Sequence, residues 1–336
     1  MLQIVDQIPS GFLEIDAKRL YQVLPQPTLV HLLGTRREPV FISVLLHGNE
    51  DVGLKAVQRV LKRYAGRTLP RSLSIFVANI EAARQGVRRL PGQADYNRVW
   101  PGSELPDGPE KQLMAAVFEE MKPRKPFASI DLHNNTGTNP HYSCICDVKP
   151  QHLQLASLFS RTVVYFIRPK GVQTMAFMSI CPSITCECGK VGDESGVARA
   201  VELLQSCLHA QEIPNHPVAS GDVHLFHTVA TVKVPPEYSI GFGDENADLV
   251  FPNDLDHWNF CEIGPAAEIA FRPPQSHAKL LVVDEHGEDR TDEYISVSGN
   301  SLRLKKKVLP SMLTLDHRII RQDCLCYFME RFDLEG

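Results

Sequence analysis

The chain has 336 residues, of which 43% are hydrophobic and 22% charged, with a net charge of -5 and a pI near 6.2. That length suits one large α/β domain with a smaller partner, and the composition suffices for a buried core. The charge argues against nucleic acid or an anionic membrane as the main partner, since both favour strongly basic patches.

The opening segment, MLQIVDQIPSGFLEID, has early acidic residues and no basic flank before an apolar run, so it does not read as a secretory signal. No stretch approaches the roughly 18 apolar residues that a membrane helix needs. The one basic run, Arg303-Leu304-Lys305-Lys306-Lys307, reads as a solvated strand edge. Nine cysteines are present and none has a CxxC spacing. Two pairs, Cys144/Cys146 and Cys186/Cys188, sit at i, i+2 in strand-like runs, as packed, reduced thiols of a cytoplasmic protein would. Homo-oligomerisation stays open.

In chain order, buried-strand patterns are predicted at Phe41–Leu46, Leu73–Ile80, Ala128–Leu132, Val163–Ile167 and Ser183–Cys188. Between them lie helical patterns. Leu54, Val57, Leu61 and Tyr64 share a face within 51–65; Val197, Val201, Leu204 and Leu208 do so within 194–211. A third helix is predicted over Pro109–Met121, started by Pro109 and stopped by Lys122-Pro123. Unalternating strands interleaved with helices predict an α/β fold, a mixed and mostly parallel sheet covered on both faces. After about residue 212 the texture changes. IPNHPVASGD reads as a linker, followed by the strand-like VHLFHTVATVKV, GFGDENAD, KLLVVDEHGED and YISVSGNSLRL with turn punctuation. The expected division is therefore 1–212 for the α/β domain and 213–336 for a smaller β-rich C-terminal domain.

The strongest local motif is LLHGNED, directly after the first of these strands and before a helix. In open α/β sheets, functional groups gather at the carboxyl ends of strands. His47 and Glu50 stand there three residues apart, and Zn²⁺ accepts both imidazole nitrogen and carboxylate oxygen. Gly48 permits a tight turn between them. Alone, His-x-x-Glu is a weak pattern. IDLHNNT repeats it: an apolar strand ends in His133, with Asp131 placed to be its partner or simply to alternate along the strand. His133 by itself is equally readable as a satisfied core histidine. Two His and one Glu make the three-ligand set of a catalytic zinc. In ITCECG, Glu187 interrupts an apolar strand, where a carboxylate is costly unless paired or working. Beside a metal it would take the proton of the attacking water; otherwise it is a buried salt-bridge glutamate. Finally DYNRVWPG, with Arg88 and Arg89 upstream, offers guanidinium forks for a carboxylate or a scissile carbonyl, against the commoner role of surface ion pairs.

These motifs, in this order, resemble the zinc carboxypeptidase superfamily, and most closely its succinylglutamate desuccinylase/aspartoacylase branch. The match runs from residue 47 to 189, and the β-rich tail suits that branch's smaller C-terminal domain. The resemblance implies a zinc-carboxypeptidase-like fold binding one Zn²⁺ through His47, Glu50 and His133, with Glu187 as base. It implies Asn97 and Arg98 as a clamp for a substrate carboxylate. It puts the carbonyl-polarising arginine at Arg89, with Arg88 as competitor because the intervening loop differs in length. The implied reaction is amide hydrolysis in a small N-acyl amino acid or short peptide with a free carboxylate. Its rivals are a metallocarboxypeptidase acting on peptides or peptidoglycan fragments, and a zinc-binding protein without turnover. Two departures stand out. Thr174–Pro182 has no arginine where aspartoacylases offer one, and Ala266-Ala267-Glu268-Ile269 has no tyrosine where they carry one. Acetylaspartate is therefore not the expected substrate.

Overall fold

A computed structural model describes residues 1–219, 221–243 and 246–334. The chain divides into two compact units, the first comprising 1–134 and 141–224, the second 135–140 and 225 onward.

The first unit contains strands β1 (Gln3–Val5), β2 (Thr28–Leu32), β3 (Gly34–Val44), β4 (Leu69–Val77), β5 (Ala128–Asn135), β6 (Tyr142–Ile145), β7 (Thr162–Tyr165) and β8 (Ser183–Lys190). Its helices are α1 (Val52–Arg63), α2 (Ile80–Gln85), α3 (Pro109–Met121), α4 (Pro150–Ser157), α5 (Gln173–Phe177) and α6 (Glu194–His209). The strands lie in the order β1-β2-β4-β3-β5-β8-β6-β7. Pairings β1/β2, β3/β4, β3/β5 and β6/β7 are parallel, whereas β2/β4 and β6/β8 are antiparallel. The mixed, mostly parallel sheet is the one that strand-helix alternation predicts.

Helices cover both faces. Gly53 of α1 fits against Val44 and Leu132, and Gly196 of α6 fits against Cys188, so α1 and α6 share one face. On the other face Phe41 and Phe76 join Trp100, Met114, Val117, Phe118 and Met121 of the α3 region and Phe177 of α5 in an apolar cluster. Phe41 and Phe177 stack at 4.6 Å between centroids, and Trp100 meets Phe41, Phe76 and Phe177 edge-on. Burial of this size supplies much of the unit's stability.

Charged and short segments account for the elements that apolar periodicity does not reveal. Strand β3 begins at Gly34, seven residues before Phe41, through the largely exposed Arg36-Arg37-Glu38. Strand β6 has four residues and α5 has five, too few for a period to show.

The second unit contains β9 (His224–Lys233), β10 (Ile240–Phe242), β11 (Leu249–Phe251), β12 (Glu268–Phe271), β13 (Leu281–Asp284), β14 (Ile295–Ser298), β15 (Ser301–Leu304), β16 (Leu309–Ser311) and β17 (Cys326–Arg331), with two short helices, α7 (Thr291–Tyr294) and α8 (His317–Gln322). Its strands pair in two sets, in the orders β13-β9-β17-β16 and β10-β11-β12-β15-β14. It is β-rich, as the texture after residue 212 predicts, although 135–140 also belong to it. Of the GFGDENAD stretch, 244 and 245 lie outside the described residues, and its first part is strand β10. All nine cysteines are free, and only Cys261 is exposed. Among the described residues no helix is long and apolar enough to cross a membrane.

Candidate metal and catalytic site

Four carboxyl-terminal strand ends or their continuations deliver the site. After Val44, Leu45 takes φ 57°, a left-handed conformation that costs a leucine energy and that its surroundings impose. The Leu45 carbonyl accepts from Asn79 N at 2.8 Å, and Gly48 N donates to the Arg88 carbonyl at 3.0 Å, so two neighbouring segments fix the turn. A Cβ at position 48 would stand 2.2 Å from Ala83 N, so glycine is required there for close approach to α2. This turn aims His47 and Glu50 back across the sheet end.

Glu50 bridges two imidazoles. Its Oε1 lies 2.9 Å from His47 Nδ1 and its Oε2 2.7 Å from His133 Nδ1, while Asn134 N donates to Oε2 at 3.2 Å. The two rings lie 4.8 Å apart between centroids. The far nitrogens are also held: His47 Nε2 is 3.1 Å from Asp95 Oδ1, and His133 Nε2 is 2.7 Å from Asp131 Oδ2. Asp131 in turn accepts from Ser43 Oγ and from Asn97 Nδ2. Each ring thus presents Nδ1 to Glu50 and Nε2 to a second carboxylate. Asn134 adds a further brace, its Oδ1 accepting from Val52 N at the start of α1.

All these groups are buried except Asp95, which is half-buried, and the charge balance is uneven. Burial opposes charge on Glu50, yet His47 and His133 outweigh it and hold the carboxyl well below the usual range. Burial likewise opposes charge on His133, but Asp131 and Glu50 raise its pKa well above that of a free imidazole. For Asp95, Arg88 and His47 overcome burial and hold the acid ionised. Glu187 on β8 behaves oppositely: burial pushes it up to about 7, and its Oε2 has no hydrogen-bond partner among the described residues. Three carboxylates gathered around two imidazoles in a buried site favour positive charge among them.

His47, Glu50 and His133 pass the test as metal ligands. One atom from each lies within 4.8 Å of the others, and ligands sharing a tetrahedral zinc stand about 3.4 Å apart. Nitrogen, oxygen, nitrogen is a donor set that zinc accepts in open, three-ligand sites.

The remaining predicted residues lie around this cluster with distinct attachments. Arg88 forks onto Asp95 Oδ2 through Nε (3.2 Å) and Nη2 (2.9 Å), and its Nη1 is 3.7 Å from Glu50 Oε1. Arg89 is turned to the Gln93 carbonyl at 2.7 Å. Asn97 uses both ends of its amide within the protein, Nδ2 on Asp131 and Oδ1 accepting from Gln173 N at the start of α5. Arg98 Nη1 donates to the Asn97 carbonyl at 2.8 Å, and its charge reaches Asp95. Sequence reading passed over Asp95 and Asn134. Asp95 stands two residues before Asn97, a spacing that lets its Oδ1 accept from Asn97 N at 2.8 Å as well as face His47. The Asp-x-Asn pattern was the available clue.

The family model described as the succinylglutamate desuccinylase/aspartoacylase catalytic domain matches residues 37–210, which include every residue of the site. No curated protein matches by sequence. Among solved structures, the chain is similar to succinylglutamate desuccinylase from Chromobacterium violaceum, with 17% identity, 92% of this chain and 89% of that chain covered, and a TM-score of 0.60. It is similar to a succinylglutamate desuccinylase/aspartoacylase from Rhodobacter sphaeroides, with 14% identity, 91% and 88% covered, and a TM-score of 0.59. Murine aminoacylase 3 is a third, with 17% identity, 88% and 96% covered, and a TM-score of 0.54. The fold is zinc-carboxypeptidase-like, and the chain belongs to the succinylglutamate desuccinylase/aspartoacylase family.

Proposed function

We propose that the protein is a zinc-dependent deacylase that hydrolyses the amide bond of a small N-acyl amino acid or short peptide with a free carboxylate. Family membership supports the amide hydrolysis. The observation that carries the zinc is the buried His47–Glu50–His133 cluster, with Glu187, whose Oε2 has no hydrogen-bond partner among the described residues, on a strand beside it. In this reading the catalytic machinery lies within residues 1–212, and 213–336 form the smaller domain.

One Zn²⁺ would be held by His47, Glu50 and His133; when bound, it supplies Lewis-acid polarisation and lowers the pKa of a nearby water. Glu187 takes the proton of the attacking water and returns it to the leaving amine. A pKa of about 7 in the metal-free site suits that exchange, and a neighbouring cation lowers it further. Arg88, already against Glu50, is better placed than Arg89 to stabilise the negative oxygen that develops on the carbonyl. Arg98 clamps the substrate carboxylate, and Asn97 fixes the segment that carries it. A purely structural zinc site needs neither a buried glutamate without a partner nor this set of arginines.

The test is a hydrolysis screen of N-acyl amino acids and dipeptides with zinc-loaded protein. Release of free amino acid from acyl substrates is expected, with amidated forms of the same substrates inert. Cleavage confined to longer peptides would assign a carboxypeptidase instead, and zinc binding without any hydrolysis a non-catalytic protein.

A further inference from the structure

Asn134 follows His133 on β5, so its side chain leaves the opposite face of the strand, toward α1. It is buried, and its amide is spent at both ends. Oδ1 accepts from Val52 N at 3.2 Å, the first donor of α1, where the cap residue Asp51 supplies no side-chain bond. Nδ2 donates to the Gly189 and Lys190 carbonyls at 3.0 and 3.2 Å, at the end of β8. The Asn134 backbone N–H goes to Glu50 Oε2 at 3.2 Å. One residue thus binds the ligand Glu50, the helix that follows it and the strand that carries Glu187. The end of β8 has little slack elsewhere. Gly189, two residues beyond Glu187, has φ 78°. A Cβ there would stand 2.5 Å from Asp193 Oδ2 and 2.9 Å from His141 Nε2, which are themselves paired at 3.0 Å. Gly189 is therefore held at its carbonyl by Asn134 and packed at its Cα against that pair.

We infer that Asn134 is a positioning residue for catalysis: its amide sets the spacing between Glu187 and the metal ligands by tying the end of β8 to the turn that bears Glu50. The inference rests on the reading of Glu187 as base and of His47, Glu50 and His133 as ligands. A neutral amide suits the task. It serves one N–H and two carbonyls at once and adds no charge beside Glu50. Proton transfer by a general base requires hydrogen-bond reach, and a misplacement of about 1 Å costs up to about 100-fold in rate. The backbone bond to Glu50 survives any side-chain change at this position, whereas the tie to β8 belongs to the side chain alone. Substitution therefore separates holding the ligand from holding the base.

The experiment compares the parent with Asn134→Ala, Asn134→Asp, Glu187→Gln and the double variant Asn134→Ala/Glu187→Gln. Two readings are taken. One is steady-state kinetics of the zinc-loaded proteins on the best N-acyl amino acid of the hydrolysis screen. The other is paramagnetic relaxation of the ¹³C-labelled Glu187 carboxyl in the Co²⁺-loaded proteins, which reports its distance from the metal without any turnover. Asn134→Ala is expected to lower kcat by about 10- to 100-fold with KM nearly constant and to alter the Glu187 relaxation. It should add less than about twofold to the loss when Glu187 is already Gln. Asn134→Asp keeps an oxygen for Val52 N and loses both donors to β8. It is expected to behave like Asn134→Ala, the relaxation distinguishing displacement from the added charge, and it carries the test if the alanine variant fails to fold. Parent kcat and relaxation in either folded variant would overturn the inference. So would losses that multiply in the double variant, the mark of a purely structural role. Full turnover in Glu187→Gln, or a Glu187 carboxyl insensitive to cobalt in the parent, would instead overturn the reading on which it rests.

Discussion

Two stretches of the same sheet face, a few ångströms apart, are both buried and yet chemically opposite. On β3, Phe41 and Ser43 point to the same side, as alternate residues must. Phe41 stacks on Phe177 in the aromatic cluster; Ser43 donates to Asp131 in the polar one. The parallel register repeats the contrast on β5, where Ser129 lies beside Phe41 and Asp131 beside Ser43. Burying rings stabilises the fold at about 25 cal/mol per Å² of apolar surface. Burying carboxylates and imidazoles costs free energy that only mutual pairing offsets. The aromatic end therefore holds the unit together, and the strand-end cluster is tolerated because the aromatic end can bear it.

Four tests on three substitutions sharpen or break this contrast, and the largest effect belongs to the polar end. Glu187→Gln should keep the zinc and the fold while lowering kcat by about 10²–10⁴-fold, the usual cost of losing a general base. Metal analysis and steady-state kinetics check it, and turnover within about threefold of the parent would make Glu187 structural. At the aromatic end Phe177→Ala should cost about 3–5 kcal/mol in stability, because a fully buried ring leaves a cavity among Phe41, Trp100 and Phe118. Denaturant unfolding should show that loss, with zinc stoichiometry unchanged in the folded fraction.

The third prediction tests the cost of polar burial through pH. Glu187 has a folded pKa of about 7 against 4.5 for the free group. Its folded state therefore holds the proton more tightly than the unfolded one. Metal-free parent should lose stability as pH rises from 4.5 through 7, by about 3 kcal/mol in all. Metal-free Glu187→Gln should lack this loss, being the more stable protein at pH 8 and nearly equal to the parent at pH 4. Parallel unfolding curves at both pH values would mean that Glu187 is not desolvated. Smallest is Arg98→Lys, which keeps charge and loses the fork. A substrate carboxylate left poorly paired costs about 2 kcal/mol, or about thirtyfold in kcat/KM, much of it in KM. Comparison of free-acid and amide forms on both proteins reads it, and a lysine variant equal to the parent removes Arg98 from the clamp.

How much of this was legible in sequence follows from what each part depends on. The strands around Phe41, Ile75, Ile130 and Ile184 announce themselves because each is buried on both faces and reads as a continuous apolar run. Helix α3 matches its predicted bounds because Pro109 and Lys122-Pro123 mark its ends locally. His47, Glu50, His133 and Glu187 were nameable because a polar residue ending or interrupting an apolar strand is conspicuous. These are local properties, and one sequence contains them. What remained depended on groups meeting from distant positions. Nothing local says that Asp95 faces His47 rather than solvent, or that Arg88 turns to Glu50 while its neighbour Arg89 turns to the Gln93 carbonyl. Nor does it say that Asn97 spends its amide on Asp131 and α5, or that 135–140 belong with the second unit. The sequence by itself determined which residues could bear the chemistry, because residue type and strand periodicity are written one position at a time. Only the tertiary structure decided which imidazole nitrogens face Glu50 and that Arg88 turns to Asp95 while Arg89 turns to the Gln93 carbonyl, because hydrogen-bond partners are chosen by distance in space.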